Sequence, residues 1–344
     1  GILIKSIFDM KKRTAFIGAI LSLMPLGQPL LIKTGFFLSS FAVTLSLPAK
    51  VIAESADEYF DIAFEMGESG NHKGAILNFT KVIELEPNNY IAYMNRGWNQ
   101  AQLGDYYAAI SDYNKSIKIE PNYALSYSNR GYSKAEIEDY KGAIEDYNKA
   151  IEIDPEDAGA YYNRGIAKEE LEDYKGSIED NNKAIELDPE YALAYNNRGY
   201  TKMELKDYKG AIEDFDKAIE IDPEDAWAYA NRGGVNQKLG KYFDAIYDFT
   251  RAIEINPEDY YYFERCSSKY EMEQYESALE DCDEALLINS KYEYAYDLRG
   301  DVRFFLGDKK GACTDYKNAI ANGYKPRKKY LSSKEGKWCR NMTN

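Results

Sequence analysis

Apolar positions along this chain fall into two short helical stripes parted by polar punctuation, and the pair of stripes then recurs. Within residues 158–189, Tyr161, Gly165 and Lys168 are spaced as one face of a helix, and Asp173-Tyr174 marks a short turn. Ile178, Asn181, Ala184 and Ile185 then resume the helical spacing until Asp188-Pro189. Proline cannot continue a helix, and it drives the residue before it out of the helical region, so Asp-Pro is a hard stop.

The recurrence has a ruler. Pro87, Pro121, Pro155, Pro189, Pro223 and Pro257 stand 34 residues apart, and the Arg-Gly pairs from Arg96-Gly97 to Arg232-Gly233 keep the same step. From Arg232 to Arg265 the step is 33, because the loop after Pro257 is one residue shorter. Eight units follow, starting at Ala56, Tyr90, Ala124, Ala158, Ala192, Ala226, Asp259 and Glu293. Each reads as helix, turn, helix. Counting places from the first residue of a unit, small residues recur where two helices must touch: Gly at place 8, Ala at places 20 and 27. Tyr holds place 4 in all eight units and place 17 in six, with His72 and Lys309 at the two ends.

This pattern of Tyr, Gly, Tyr, Ala, Ala and Pro places resembles the tetratricopeptide repeat over residues 56–324. The resemblance implies an all-α, right-handed superhelical solenoid of eight helix-turn-helix repeats, whose function is to bind proteins or peptides in a concave groove. Such a stack buries its core between neighbouring repeats and needs a cap at its end. The basic segment 325–344 is expected to supply a C-terminal capping helix.

Charge sharpens the division. The formal charge is −15. Residues 1–53 nevertheless carry six basic side chains against one acidic, and residues 325–344 carry seven against one, so the negative charge is concentrated in the repeats. An array of that sign repels nucleic acid and suits a basic protein partner. Most of the acidic residues are expected to cap helices and keep the surface solvated.

Ahead of the repeats, Lys33 precedes an apolar run from Thr34 to Leu47, and Val51 and Ala53 occupy the small-residue places before Glu54. This is the grammar of a cleaved export signal, with Met24 as a start. An uncleaved membrane tether with Lys11, Lys12 and Arg13 on the inner side is the other reading, so an exported or membrane-anchored protein is expected over a cytoplasmic one. The four cysteines, Cys266, Cys282, Cys313 and Cys339, lie in the last two units and the tail. Cys266 at place 8 and Cys282 at place 24 face each other across a helix pair, and Cys313 meets Cys339 if the tail folds back. Disulfides in an oxidising compartment and four buried thiols are both compatible with this arrangement.

Catalytic chemistry is absent from the pattern. The chain has one histidine, His72, at a packing place, and no phosphate loop, zinc-protease or nucleophile-elbow motif; carboxylates repeat with the period, as structural groups do. No enzyme, cofactor or metal site is expected. One polar pairing does stand out. Seven units carry Arg at place 7 and Asp at place 23, from Arg96/Asp112 to Arg299/Asp315, whereas the first has Ile62 and Asn78. Their joint loss argues that the two touch within a unit and fix the hairpin.

The expected binding face is the first-helix stripe of places 2, 5, 6, 9, 12 and 13. Asn95, Asn129, Asn163, Asn197 and Asn231 occupy place 6 of five consecutive units, beside Trp98, Tyr132, Ile166 and Tyr200 at place 9. An amide both donates and accepts, so such a row can hold an extended backbone. The row resembles the asparagine ladder of protein O-GlcNAc transferases, whose catalytic part has no counterpart here. The expected function is a non-catalytic scaffold that holds partner segments during complex assembly. A cytosolic adaptor that delivers partners to a separate enzyme is the alternative.

Overall fold

The computed structural model describes residues 55–334 and 336–340, which are helical with short connections and without a strand. Sixteen helices pair into eight hairpins, whose first helices begin at the eight unit starts read from the sequence. The export signal or tether read in residues 1–53 lies outside the described residues. Among the described residues no helix is long and apolar enough to cross a membrane.

The chain divides into two compact units, one ending at Asp188 and one beginning at Pro189. The first holds hairpins one to four: α1 (Ala56–Glu68) with α2 (His72–Leu85), α3 (Tyr90–Gln102) with α4 (Tyr106–Ile119), α5 (Ala124–Glu136) with α6 (Tyr140–Ile153), and α7 (Ala158–Glu170) with α8 (Tyr174–Leu187). The second holds hairpins five to eight: α9 (Ala192–Glu204) with α10 (Tyr208–Ile221), α11 (Ala226–Lys238) with α12 (Tyr242–Ile255), α13 (Asp259–Glu271) with α14 (Tyr275–Ile288), and α15 (Glu293–Phe305) with α16 (Lys309–Ala321). The short helices α17 (Lys325–Ser332) and α18 (Lys337–Arg340) fold back on α16. Within each unit, a second helix packs on the first helix of the next hairpin, and successive first helices also touch.

Local chemistry sets these boundaries. Asp105, Asp139, Asp173, Asp207 and Asp308 cap second helices, each accepting from the backbone N–H three residues on. Asp154, before Pro155, sits at φ −127°, ψ 92°, the extended conformation that proline imposes. The turn inside each hairpin needs one residue of positive φ. Gly70, Gly104, Gly240 and Gly307 supply it in four hairpins, whereas Glu138, Glu172, Lys206 and Glu273 adopt φ of 58–65° in the others.

The core repeats with the chain. Ala75, Ala109, Ala143, Ala211 and Ala245 are fully buried, as are Phe79, Tyr113, Tyr147, Phe215 and Phe249 at place 24. Place 8 faces that aromatic ring: a Cβ on Gly199 would stand 2.8 Å from Phe215, so glycine is required for the close approach. Hairpin seven solves the same contact differently. Cys266 and Cys282 replace both partners and join as a disulfide, Cα–Cα 5.6 Å. A second disulfide, Cys313–Cys339 (Cα–Cα 5.3 Å), fastens α18 to α16.

Candidate functional site

Each of the seven arginines at place 7 grips the aspartate at place 23 of its own hairpin with two N–H donors. In hairpin four, Arg164 Nε and Nη2 donate to Asp180 at 2.9 and 2.6 Å. The guanidinium also lies over the place-4 tyrosine, 5.3 Å from the centroid of Tyr161. Two further members escaped the sequence reading. Lys134, Lys168, Lys202, Lys269 and Arg303, at place 11, make a second ion pair to the same aspartates at 2.7–2.8 Å. The remaining guanidinium nitrogen donates backwards, from Arg130 to Asn114 at 2.5 Å and from Arg164 to Asn148 at 2.6 Å. These arginines therefore bind their own hairpin and the one before it.

The aspartates of this network are buried and each is paired by its own hairpin, so the network holds the frame. In hairpin six Asn236 replaces the lysine and donates to Asp248 at 3.0 Å. Burial pushes the Asp248 carboxyl above its ordinary range, and Arg232 counters only part of that rise.

The asparagine row is not the uniform open ladder that its spacing predicts. Asn95 turns its amide onto the Ile91 carbonyl of its own helix at 3.0 Å. Asn129, 9% exposed, reaches Met94 Sδ of the preceding hairpin, and Asn231, 2% exposed, donates to Asn196 at 3.0 Å. The side-chain nitrogen of Asn197 is buried without a partner. Asn163 is half-buried, and its amide makes no side-chain hydrogen bond among the described residues. Two of the five place-6 amides are met by the place-5 side chain one hairpin earlier. Long Met94 and Asn196 reach them.

The place-9 residues divide as well. Tyr132 and Tyr200 are buried, whereas Trp98 and Ile166 keep some exposure. Trp98 meets His72 edge-on at 5.7 Å, and His72 Nδ1 shares a hydrogen bond of 3.0 Å with Asn99 Oδ1, so the single histidine is a packing residue. Tyr132 lies edge-on to Tyr106, centroids 6.4 Å apart. The Tyr106 hydroxyl donates to Glu136 at 3.1 Å, and the Tyr132 hydroxyl lies beside the same carboxylate. Burial raises Glu136, and the two hydroxyls pull it partly back.

While the frame places repeat, the first-helix stripe changes from hairpin to hairpin. Place 2 reads Asp57, Ile91, Leu125 and Gly159 in the first unit. In the second it reads Leu193, Trp227, Tyr260 and Tyr294, and Trp227 stacks on Tyr260 at 6.4 Å. Leu125 is 44% exposed. Among the described residues no group of three His, Cys, Asp or Glu side chains could hold a metal ion.

Comparison with known proteins gives a consistent picture. Family models described as "Tetratricopeptide repeat" match residues 90–123, 158–191, 192–225 and 215–247, and one described as "TPR repeat" matches 134–171. No curated protein matches the chain in sequence. Among solved structures, a tetratricopeptide repeat protein from Parabacteroides merdae is 22% identical, with a TM-score of 0.54 over 71% of this chain and 97% of that one. A chain of the APC/C hetero-tetramer Cut9-Hcn1 is 16% identical, with a TM-score of 0.59 over 81% of this chain and 55% of that one. At these identities the likeness is one of fold.

Proposed function

We infer the function from the premise that this chain is a tetratricopeptide-repeat protein, a class whose members mediate protein–protein interaction. We propose that it is a non-catalytic scaffold that binds extended segments of partner proteins along its first-helix face. The observation that carries this reading is the contrast between the frame and the stripe. Places 7, 8, 20 and 23 repeat because the hairpin needs them, whereas places 2, 5 and 9 vary on the same helices. Variation on an otherwise periodic surface is what different contacts along one bound segment require. The acidic balance of the repeats favours basic partners.

Site-specific photo-crosslinking tests the reading. A photoreactive residue at Leu125, on the stripe, should capture partner protein in the native cell, and one at Leu77, 70% exposed on the second helix of hairpin one, should not. Equal capture at both positions, or none at 125, refutes it.

We further propose that the protein works in an exported or membrane-associated setting. The joined Cys266–Cys282 and Cys313–Cys339 pairs support this, since disulfides persist in oxidising compartments. N-terminal sequencing of protein from the native cell should begin at Glu54, and all four cysteines should resist alkylation until reduced. Four freely alkylated thiols in the denatured, unreduced protein would argue for a cytosolic adaptor instead.

A further inference from the structure

Resting on the peptide-binding reading above, the inference here names the side chain that one bound segment carries. On α5, Ser128, Tyr132 and Glu136 follow at steps of four and so share a single stripe. Glu136 is half-buried and accepts from the Tyr106 hydroxyl, with Tyr132 beside it, and no lysine or arginine among the described residues pairs with it. Lys134, the closest basic residue in sequence, is engaged with Asp146 at 2.8 Å. Every buried aspartate of the frame, by contrast, has an arginine. A partly desolvated carboxylate served only by neutral donors is a receptor for a cation.

The same molecule contains the filled version of such a site. In hairpin eight, Asp297 and Asp301 stand at places 5 and 9 of the first helix. Arg327, from α17, pairs with both and lies over Tyr316 at 4.1 Å and Tyr330 at 5.2 Å. Carboxylate and tyrosine rings around one guanidinium are the arrangement that Glu136, Tyr106 and Tyr132 present without an occupant from this chain.

A second observation lies on the same stripe. The Ser128 hydroxyl is buried without a partner, and its residue is 9% exposed. The amide of Asn163, at place 6 of the next hairpin, makes no side-chain hydrogen bond among the described residues, and Ser128 is shorter than Met94 and Asn196, which meet Asn129 and Asn231. The contact between places 5 and 6 is thus open at this junction.

We propose that the stripe from Ser128 to Glu136 binds an extended partner segment carrying an arginine: Asn163 and Ser128 take a main-chain amide, and Glu136 takes the guanidinium against the rings of Tyr106 and Tyr132. Eight helical residues span roughly 12 Å, so the arginine lies about three or four residues along the segment from the amide that Asn163 holds. Arginine is favoured over lysine because a planar guanidinium both forks a carboxylate and stacks on aromatic faces.

The test uses the full chain and short extended synthetic peptides of one sequence, with arginine, lysine or citrulline at a single scanned position. Citrulline keeps the shape and removes the charge. The arginine peptide should bind at least tenfold more tightly than the citrulline peptide, with lysine between them. Glu136→Gln should lower the arginine peptide to the citrulline level and leave the citrulline affinity unchanged, and Asn163→Ala should weaken both alike. Melting curves of both variants that match the parent exclude a folding effect. Equal binding of arginine and citrulline peptides, or an arginine preference untouched by Glu136→Gln, overturns the inference. If capture at Leu125 persists in that case, the peptide-binding reading stands without it. If no peptide binds and nothing is captured at Leu125, both fail.

Discussion

Hairpins one and four share one backbone plan and differ in how they fill its centre. Hairpin four holds a buried aspartate, Asp180, between Arg164 and Lys168. Hairpin one has Ile62, Met66 and Asn78 at the same three places, and Asn78 satisfies itself on the Gly74 carbonyl at 2.9 Å with Met66 Sδ beside it. All three members of the ion network are thus exchanged together. The network is dispensable as a set and costly to lose in part, as expected where removing one partner strands a desolvated charge but replacing the set by apolar groups does not.

The largest effect comes from breaking that set. Arg164→Leu leaves Asp180, whose side chain is 5% exposed, with Lys168 alone, and should cost about 3 kcal/mol in denaturant unfolding. Grafting the set of hairpin one, Arg164→Ile with Lys168→Met and Asp180→Asn, should recover most of that loss. A triple variant no more stable than the single one would mean that the three places are not coupled.

A half-buried carboxylate without a cation supplies the next test. Asp225, which caps α11, is pushed up to about 6, chiefly by burial, although the N–H groups of Ala228 and Trp227 oppose the shift. A raised folded-state pKa contributes stability below about pH 4 that is lost as pH climbs through 6. Asp225→Asn keeps the cap and removes the titration. The variant should therefore gain on the parent by about 2 kcal/mol between pH 4 and pH 7, read from chemical melts across that range. Parallel curves would show that Asp225 is not the titrating group.

Hairpin six also carries the half-built network, Arg232 and Asp248 with Asn236. Asn236→Lys completes it on the plan of hairpin four and should add about 1 kcal/mol at neutral pH. Because the added cation lowers the Asp248 pKa, the gain should fade as acid protonates that carboxylate. The smallest effect separates hairpins one and four once more. Their turns pass through positive φ at Gly70 (80°) and Glu172 (62°), and Glu172→Gly should raise stability by about 0.5 kcal/mol in calorimetry.

Much of this was legible in the sequence, for physical reasons that can be named. Proline closes the first six hairpins and the Arg-Gly step marks hairpins two to six and eight, because the unit boundary and the close helix contact tolerate few alternatives. The Arg–Asp contact was readable from one exception, Ile62 with Asn78. The lysine at place 11 was not, since Gln100, Asn236 and Met66 interrupt it. The backward contact was hidden as well, because Thr80, Asn114, Asn148 and Asp216 serve it equally. Nor could an identical row of asparagines reveal which amides are open, because each amide finds a different partner: its own helix for Asn95, and a place-5 side chain of the preceding hairpin for Asn129 and Asn231. Glutamate recurs at place 13 (Glu68, Glu136, Glu170, Glu204 and Glu271), so the period alone does not single out Glu136. Its setting depends on Tyr106 and Tyr132, which come together only when hairpins two and three stack.

The backward reach of the arginines has a mechanical consequence. Arg130 and Arg164, like Arg265 and Arg299, each join two successive hairpins through one rigid, planar group, so a hairpin that melts withdraws a hydrogen bond from its neighbour. Disorder at one place therefore raises the odds of disorder beside it, in the manner of a zipper whose teeth interlock, and each such run should open over several hairpins rather than fray one at a time.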